Sequence, residues 1–173
     1  MIYKYQKVKD AYTDYTVVGE NVVELSTLDG WTYIMIPDDD VLPEQPEQVE
    51  ATLALADDLT EDEIIAIKSA CPGISGQLTR INQAVNAYIL SHYDAGTQSS
   101  FNGLYAKRDT PDALRDLLDP VWAWIESIMT YYYTQKAAIL STYDYMSVTW
   151  DFSQFDATKP TVTLAGIMAA MVE

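Results

Sequence analysis

Over residues 1 to about 36, apolar positions alternate with polar ones and favour β-branched and aromatic types. Ile2, Tyr3, Tyr5 and Val8 come first, then Tyr15, Val17 and Val18, then Val22, Val23 and Leu25, then Trp31, Tyr33, Ile34 and Ile36. That is the period and composition of strands. Gly19-Glu20-Asn21 and Asp29-Gly30 fall between the runs, and Asp-Gly between alternating residues is a strong hairpin signal. The pattern predicts three or four short antiparallel strands. So small a unit has too little interior to be stable alone, and it must pack on the rest of the chain or on a partner.

From Pro37 to Glu50 the pattern lapses into three prolines, six acids and no base. Such a stretch favours extended, self-repelling backbone. It predicts an acidic proline-rich linker over 37–56, separating a small β domain at 1–36 from a helical domain at 57–173. The expected class is α+β: an N-terminal antiparallel unit, the linker, then a mainly helical bundle with a short strand-like segment near its C-terminal end.

Helical periodicity opens at Thr60-Glu61-Asp62-Glu63, a capping box with Leu59 and Ile64 in the staple positions, and should run to about Ala70 before Pro72-Gly73. A second helix, about Ser75 to Tyr93, places Leu78, Ile81, Val85, Tyr88, Ile89 and His92 on one stripe. Asp94-Ala95-Gly96 should end it. Thr97 is the expected cap of a short third helix, followed by a polar turn at Lys107-Arg108-Asp109. Thr110-Pro111 and Asp119-Pro120 each read as a cap followed by proline, predicting a helix over 111–118 and another over 120–141, broken or kinked between them. Val148 to Phe152 and Pro160 to Leu164 return to strand-like character before a closing helix from Ala165 to Val172.

Charge narrows the functional classes. Ten basic against twenty-six acidic residues give a formal charge of -16, so phosphate backbones and anionic lipid surfaces are repelled. Neither nucleic acid nor membrane is an expected partner. No apolar run is long enough to span a bilayer, and the N-terminal residues lack a signal-like apolar region, so a soluble, unprocessed chain is expected. The single cysteine, Cys71, excludes an intramolecular disulfide, and with one histidine it cannot complete a structural zinc site. No cofactor or metal is expected.

Catalytic candidates are few. His92, beside Tyr93 and Asp94, has the chemistry of a general base oriented by a carboxylate, but a histidine at a helix C-terminus is equally served by the negative dipole end, and the structural role is preferred. Cys71 sits where a helix end raises a thiol pKa, which points to a buried structural residue. Gly73-Ile74-Ser75-Gly76 lacks the spacing of a nucleophile elbow and reads as an interhelical turn. Asp38-Asp39-Asp40 lacks the glycine and glutamate of a calcium loop and reads as solvated linker. No phosphate-binding glycine loop is present.

Thirteen tyrosines and four tryptophans stand out instead. Trp122, Trp124 and Tyr131-Tyr132-Tyr133 cannot all point inward from one helix, and such residues are enriched at protein interfaces. Trp31, Tyr33, Trp124, Tyr131 and Tyr133 are the candidate partner contacts.

The stretch Val85 to Gln98, continuing to Phe101 and Leu104-Tyr105, resembles a helical module of bacteriophage and prophage tail proteins. So do Val121-Trp122-Ala123-Trp124-Ile125 with Tyr131-Tyr132-Tyr133 and Lys136 to Ile139, and Val148 to Phe152 with Phe155 to Pro160. The front half, with Glu24-Leu25-Ser26, Ile36-Pro37 and Leu42-Pro43-Glu44-Gln45-Pro46, is similar to the small β domain and proline-rich connector of tail-fibre accessory and assembly proteins. The resemblance covers about half the chain and lies in packing positions, so it carries over no site residue. It implies a non-enzymatic virion component or assembly chaperone that binds a tail-fibre or baseplate protein, oligomeric in the assembly, resident in the virion tail or in the host cytoplasm during assembly. Two alternatives stand beside it: an acidic DNA mimic that blocks a nucleic-acid-binding protein, and a small carboxylate-dependent hydrolase.

Overall fold

A computed structural model describes residues 1–107 and 110–172; of the polar turn expected at Lys107-Arg108-Asp109, Arg108 and Asp109 lie outside the described residues. The class is α+β, with antiparallel strands first and helices after. The chain divides into two units: one formed by Met1–Leu78 with Ala138–Val148, the other by 79–137 with 149–172. Neither is a continuous stretch of sequence, so the boundaries differ from the 1–36, 37–56 and 57–173 division expected above.

The first unit is built on a four-stranded antiparallel sheet. Its strands are β1 (Ile2–Tyr5), β4 (Val23–Leu28), β5 (Trp31–Met35) and β6 (Ala54–Leu55), in the order β4-β5-β1-β6. Two further strands, β2 (Val8–Lys9) and β3 (Asp14–Tyr15), form a separate ribbon. Asp10 closes that ribbon: its Oδ1 accepts the amides of Tyr12 and Thr13, both at 2.8 Å. The β4–β5 hairpin turns on Asp29 and Gly30, with φ of 50° and 81°. Two consecutive positive φ values are what a two-residue hairpin turn with the twist of its strands requires, and Asp-Gly supplies them at least cost. A bulge at Leu25 shifts the register so that Glu24 pairs with Ile34 and Ser26 with Tyr33, and the extra residue is buried.

The expected linker is part of this unit. β6 pairs with β1, Tyr3 against Leu55 and Lys4 against Ala54, and a four-residue helix, α1 (Glu47–Glu50), buries Val49 completely against Tyr5 and Ile34. Leu42 and Leu53 join the same cluster. The Gln45 carboxamide accepts the amide of Val18 and donates to its carbonyl, both at 2.9 Å, so a side chain replaces a strand in satisfying that backbone. Leu42, Val49 and Leu53 fold the segment back among its acids and prolines, and they supply the neighbour that the 1–36 unit needs.

Next comes α2 (Glu61–Ala70), which starts with the expected capping box: Thr60 Oγ1 accepts the Glu63 amide and Glu63 Oε2 accepts the Thr60 amide. The α2 helix lies against β4, and Cys71, buried at its end, donates weakly to the Glu24 carbonyl at 3.6 Å. Lys68 is also buried and caps a helix end, its Nζ donating to the Leu140 carbonyl at 2.6 Å. Burial pushes its ammonium pKa down, against the field of Asp38, which raises it. Gly73 faces the Tyr145 phenol so closely that an added Cβ would stand 2.2 Å from Oη, and any larger residue would have to displace that ring.

Helix α3 (Pro72–His92) begins three residues earlier than the spacing implied, because proline suits a first helical turn and the Cys71 carbonyl accepts the Ser75 amide. Helix α4 (Ala95–Tyr105) is capped by Asp94, not Thr97: the Asp94 carboxylate accepts the Thr97 amide at 2.7 Å, so the residues expected to end α3 begin α4. Thr110 caps backwards, its hydroxyl donating to the carbonyls of Leu104 and Lys107 at the end of α4.

The two helices expected around Pro120 are a single helix, α5 (Asp112–Ser141). Leu114, Leu118, Val121, Trp124, Ile128 and Tyr132 form one buried stripe that runs past Pro120, while Pro120 itself is exposed. An interior proline costs about 3 kcal/mol, and the burial of several large side chains outweighs it. The C-terminal stretch contains extended residues at Val148, Lys159 and Thr163, but among the described residues it joins no sheet; two short 3-10 turns, Tyr145–Ser147 and Ser153–Thr158, occupy it. It ends in α6 (Leu164–Ala170), capped by Thr163.

Thr60→Ala should lower unfolding stability by about 1 kcal/mol through loss of the cap. Gly30→Ala should cost at least about 1 kcal/mol, because a β-carbon at that φ is strained, whereas Asp29→Asn should stay within about 0.5 kcal/mol. Urea midpoints followed by circular dichroism check all three.

Candidate functional site

The densest concentration of aromatic and ionisable side chains in the second unit lies where α3 and α5 meet the 149–160 segment. Tyr88 and His92 are four residues apart on one face of α3, their rings 4.6 Å apart. From α5, Trp124 approaches both, at 5.9 Å from Tyr88 and 5.4 Å from His92. Phe152 stacks on Tyr88 at 5.8 Å, and Tyr131 meets Phe152 and Phe155 edge-on. Offset and edge contacts of this kind suit aromatic quadrupoles.

The polar tips of these rings all serve the 149–160 segment. Trp124 Nε1 donates to the Phe155 carbonyl at 2.9 Å, the Tyr93 hydroxyl to the Pro160 carbonyl at 2.5 Å, and the Tyr88 hydroxyl to Asp156 Oδ1 at 2.6 Å. Tyr131 Oη accepts the Asp151 amide at 3.2 Å. His92 Nε2 stands 3.3 Å from the same Asp156 oxygen. A segment without a ladder of its own is thus fastened by side chains.

Ser91, His92 and Asp156 stand in the order of a nucleophilic relay, with the serine hydroxyl engaged on backbone. The Ser91 hydroxyl donates to the Tyr88 carbonyl at 2.7 Å. His92 Nδ1 faces that carbonyl at 3.0 Å and Ser91 Oγ at 2.9 Å. A hydroxyl has one proton, and that of Ser91 is given to the Tyr88 carbonyl. The trio is arranged to hold the segment. Asp94, the carboxylate adjacent in sequence, is occupied at the α4 cap and plays no part here.

Burial, with the Asp156 hydrogen bond behind it, pushes the Tyr88 phenol well above its ordinary value of 10.0. Burial also raises Tyr93. Asp151 is held below the usual carboxylate range by the hydroxyl and amide of Ser153.

Of the residues expected to touch a partner, Trp124 is 4% exposed and Tyr33 is buried in the sheet, so both belong to this chain's own core. Tyr131 is half-buried under Phe152 and Phe155. Trp31 is half-buried with the Lys4 ammonium 5.7 Å from its ring. Only Tyr133, 58% exposed, projects outward. Two aromatics of the α5 surplus, Trp124 and Tyr131, are taken up by the 149–160 segment. Asp156, whose only sequence signal is a turn at Asp156-Ala157-Thr158, was the functional partner missed, because 64 positions separate it from His92.

The Asp38-Asp39-Asp40 triplet is divided among other tasks: Asp38 pairs with the Met1 amine, and Asp40 accepts from Asn21 at 2.7 Å. Among the described residues, no cluster of three or more histidine, cysteine or acidic side chains is placed to hold a metal ion, and no helix is long and apolar enough to cross a membrane. No family model, curated protein or solved structure matches the chain.

Trp124→Phe removes the indole donor and leaves the Phe155 carbonyl with the Thr158 hydroxyl alone, and should cost about 1 kcal/mol, with faster amide exchange across 150–160 as the accompanying signature. In alkaline ultraviolet titration, Tyr88→Phe should remove no amplitude from the phenol transition near pH 10.0, since Tyr88 keeps its proton there. The stability its raised pKa contributes is present below pH 10.0 and is lost only as pH rises through the higher folded value.

Proposed function

We propose that the chain is a non-enzymatic accessory protein of a phage tail that binds a tail-fibre or baseplate protein, as a virion subunit or an assembly chaperone. One observation supports this reading above others. The three stretches that resemble tail proteins are the ones that build the aromatic cluster of the second unit: Tyr88, His92, Tyr93 and Phe101 from the first, Trp124 and Tyr131 from the second, Phe152 and Phe155 from the third. A resemblance in packing positions is meaningful when those positions pack together. The formal charge of -16 further favours a protein partner over nucleic acid or lipid. Exposed Leu164, Met168 and Met171 on and beside α6 give the second unit apolar surface of the kind that protein partners cover.

Mass spectrometry of purified particles, with affinity capture of the tagged chain from lysate, tests the reading. The expected result is a fixed stoichiometry in particles, or a complex with a fibre or baseplate protein that survives moderate salt. Absence from both overturns it. A complex with a basic nucleic-acid-binding protein that dissociates steeply as salt rises would replace it with the DNA-mimic alternative.

A further inference from the structure

Two open grooves flank the Val41-Leu42-Pro43 segment of the first unit, with volumes of about 850 and 520 Å³. Those three residues wall both grooves, and Val41 is 89% exposed between them. The larger groove has Tyr3 and Leu53 for apolar lining and Glu44, Glu47 and Glu50 around it; the smaller has Val22 and Ile36 with Glu20 and Asp40. Five carboxylates line the pair and no lysine or arginine does, among the described residues.

The unit's own cations are committed elsewhere. Lys4 pairs with Asp58 at 2.7 Å, Lys7 with Glu24 at 2.7 Å and Lys9 with Asp14 at 3.2 Å, while Lys68 donates to the Leu140 carbonyl. Among the described residues, Glu20, Glu44, Glu47 and Glu50 have no cationic partner within the chain. Like charges gathered around apolar hollows repel one another, and the arrangement is relieved by an occupant that brings positive charge and apolar side chains together. A second copy of this chain would bring acid to acid.

We infer that the Val41–Pro43 ridge and its two grooves are the docking surface for an extended segment of a partner protein whose apolar side chains are flanked by lysine or arginine. Apolar side chains enter the hollows, which gives affinity; the cations meet the glutamates at the rim, which sets register and speeds encounter. The inference rests on the reading of the chain as a protein-binding component and names the chemistry of what it binds.

The test uses the full chain and a blocked, fluorescent peptide of leucine, proline and lysine. Its comparators are the same peptide with glutamate for lysine and an oligolysine of equal charge, all at about 0.15 M salt. Binding is read by anisotropy and located by amide shifts at Val41, Leu42, Gln45 and Glu50. The leucine-lysine peptide should bind, the glutamate peptide should not, and oligolysine should be about tenfold weaker or worse.

The triple variant Glu44→Gln, Glu47→Gln, Glu50→Gln should weaken binding about tenfold, and Val41→Ser should weaken it about fivefold. Asp116→Asn, Glu126→Gln, Asp144→Asn, equal in charge change but at residues that line neither groove, should stay within about twofold. All changed residues are exposed, so unchanged unfolding midpoints show that each variant is folded.

Equal loss in the remote variant, equal affinity for oligolysine, no binding up to about 1 mM peptide, or a dimer that Val41→Ser dissolves would each overturn the inference. Particle residence without peptide binding overturns the grooves alone. Peptide binding without any tail association overturns the tail reading alone.

Discussion

The second unit depends on a single kind of interaction, the hydrogen bond from an aromatic side chain to the backbone of a segment with no regular partner. Residues 149–160 cross helical surface in short turns and extended links, and backbone in that state must find donors and acceptors outside itself. Tyrosine and tryptophan meet this need because each joins a large apolar body to one polar tip. Trp124, Tyr93 and Tyr131 bond the backbone, Tyr88 bonds the Asp156 side chain, and the rings bury against Phe152 and Phe155. Much of the tyrosine and tryptophan content of this region therefore follows from the fold of the chain itself.

The first unit solves a similar problem with other residues. Residues 6–22 and 37–53 lie outside the four-stranded sheet, and the Gln45 carboxamide joins the two stretches by bonding both backbone groups of Val18. Val49, Leu42 and Leu53 then close the layer over Tyr5 and Ile34. The acids and prolines around them stay at the surface, where repulsion keeps the chain open enough to leave hollows on either side of Val41.

What was legible in the sequence was local. The Asp29-Gly30 turn, the Thr60 box and the helical stripe of α3 rest on neighbours within a few positions, and they are found as expected apart from the earlier start of α3. What was illegible was distant pairing. β6 is two residues long and has no strand signal until β1 lies beside it. Pro120 carries a strong local penalty, and only the stripe of buried residues on either side reveals that tertiary packing prevails. Asp94 and Thr110 were read in the wrong direction because a cap residue between two helices can serve either. Trp124 was assigned to a partner surface because a helical wheel cannot show that a later segment of the same chain returns to cover it, and Tyr33 because alternation along a strand does not say which of its faces is buried.

The interleaving of the two units bears on how the chain is made and how it can be divided. Residues 138–148 complete the first unit only after most of the second has been synthesised, and residues 149–172 then complete the second. On a ribosome, the sheet, α1 and α2 wait for a helix end that emerges far later, so Lys68 remains without its Leu140 carbonyl through most of translation. No single cut in the chain releases either unit whole. To be truncated or transplanted intact, the chain has to be taken as one piece, even though its contacts divide into two.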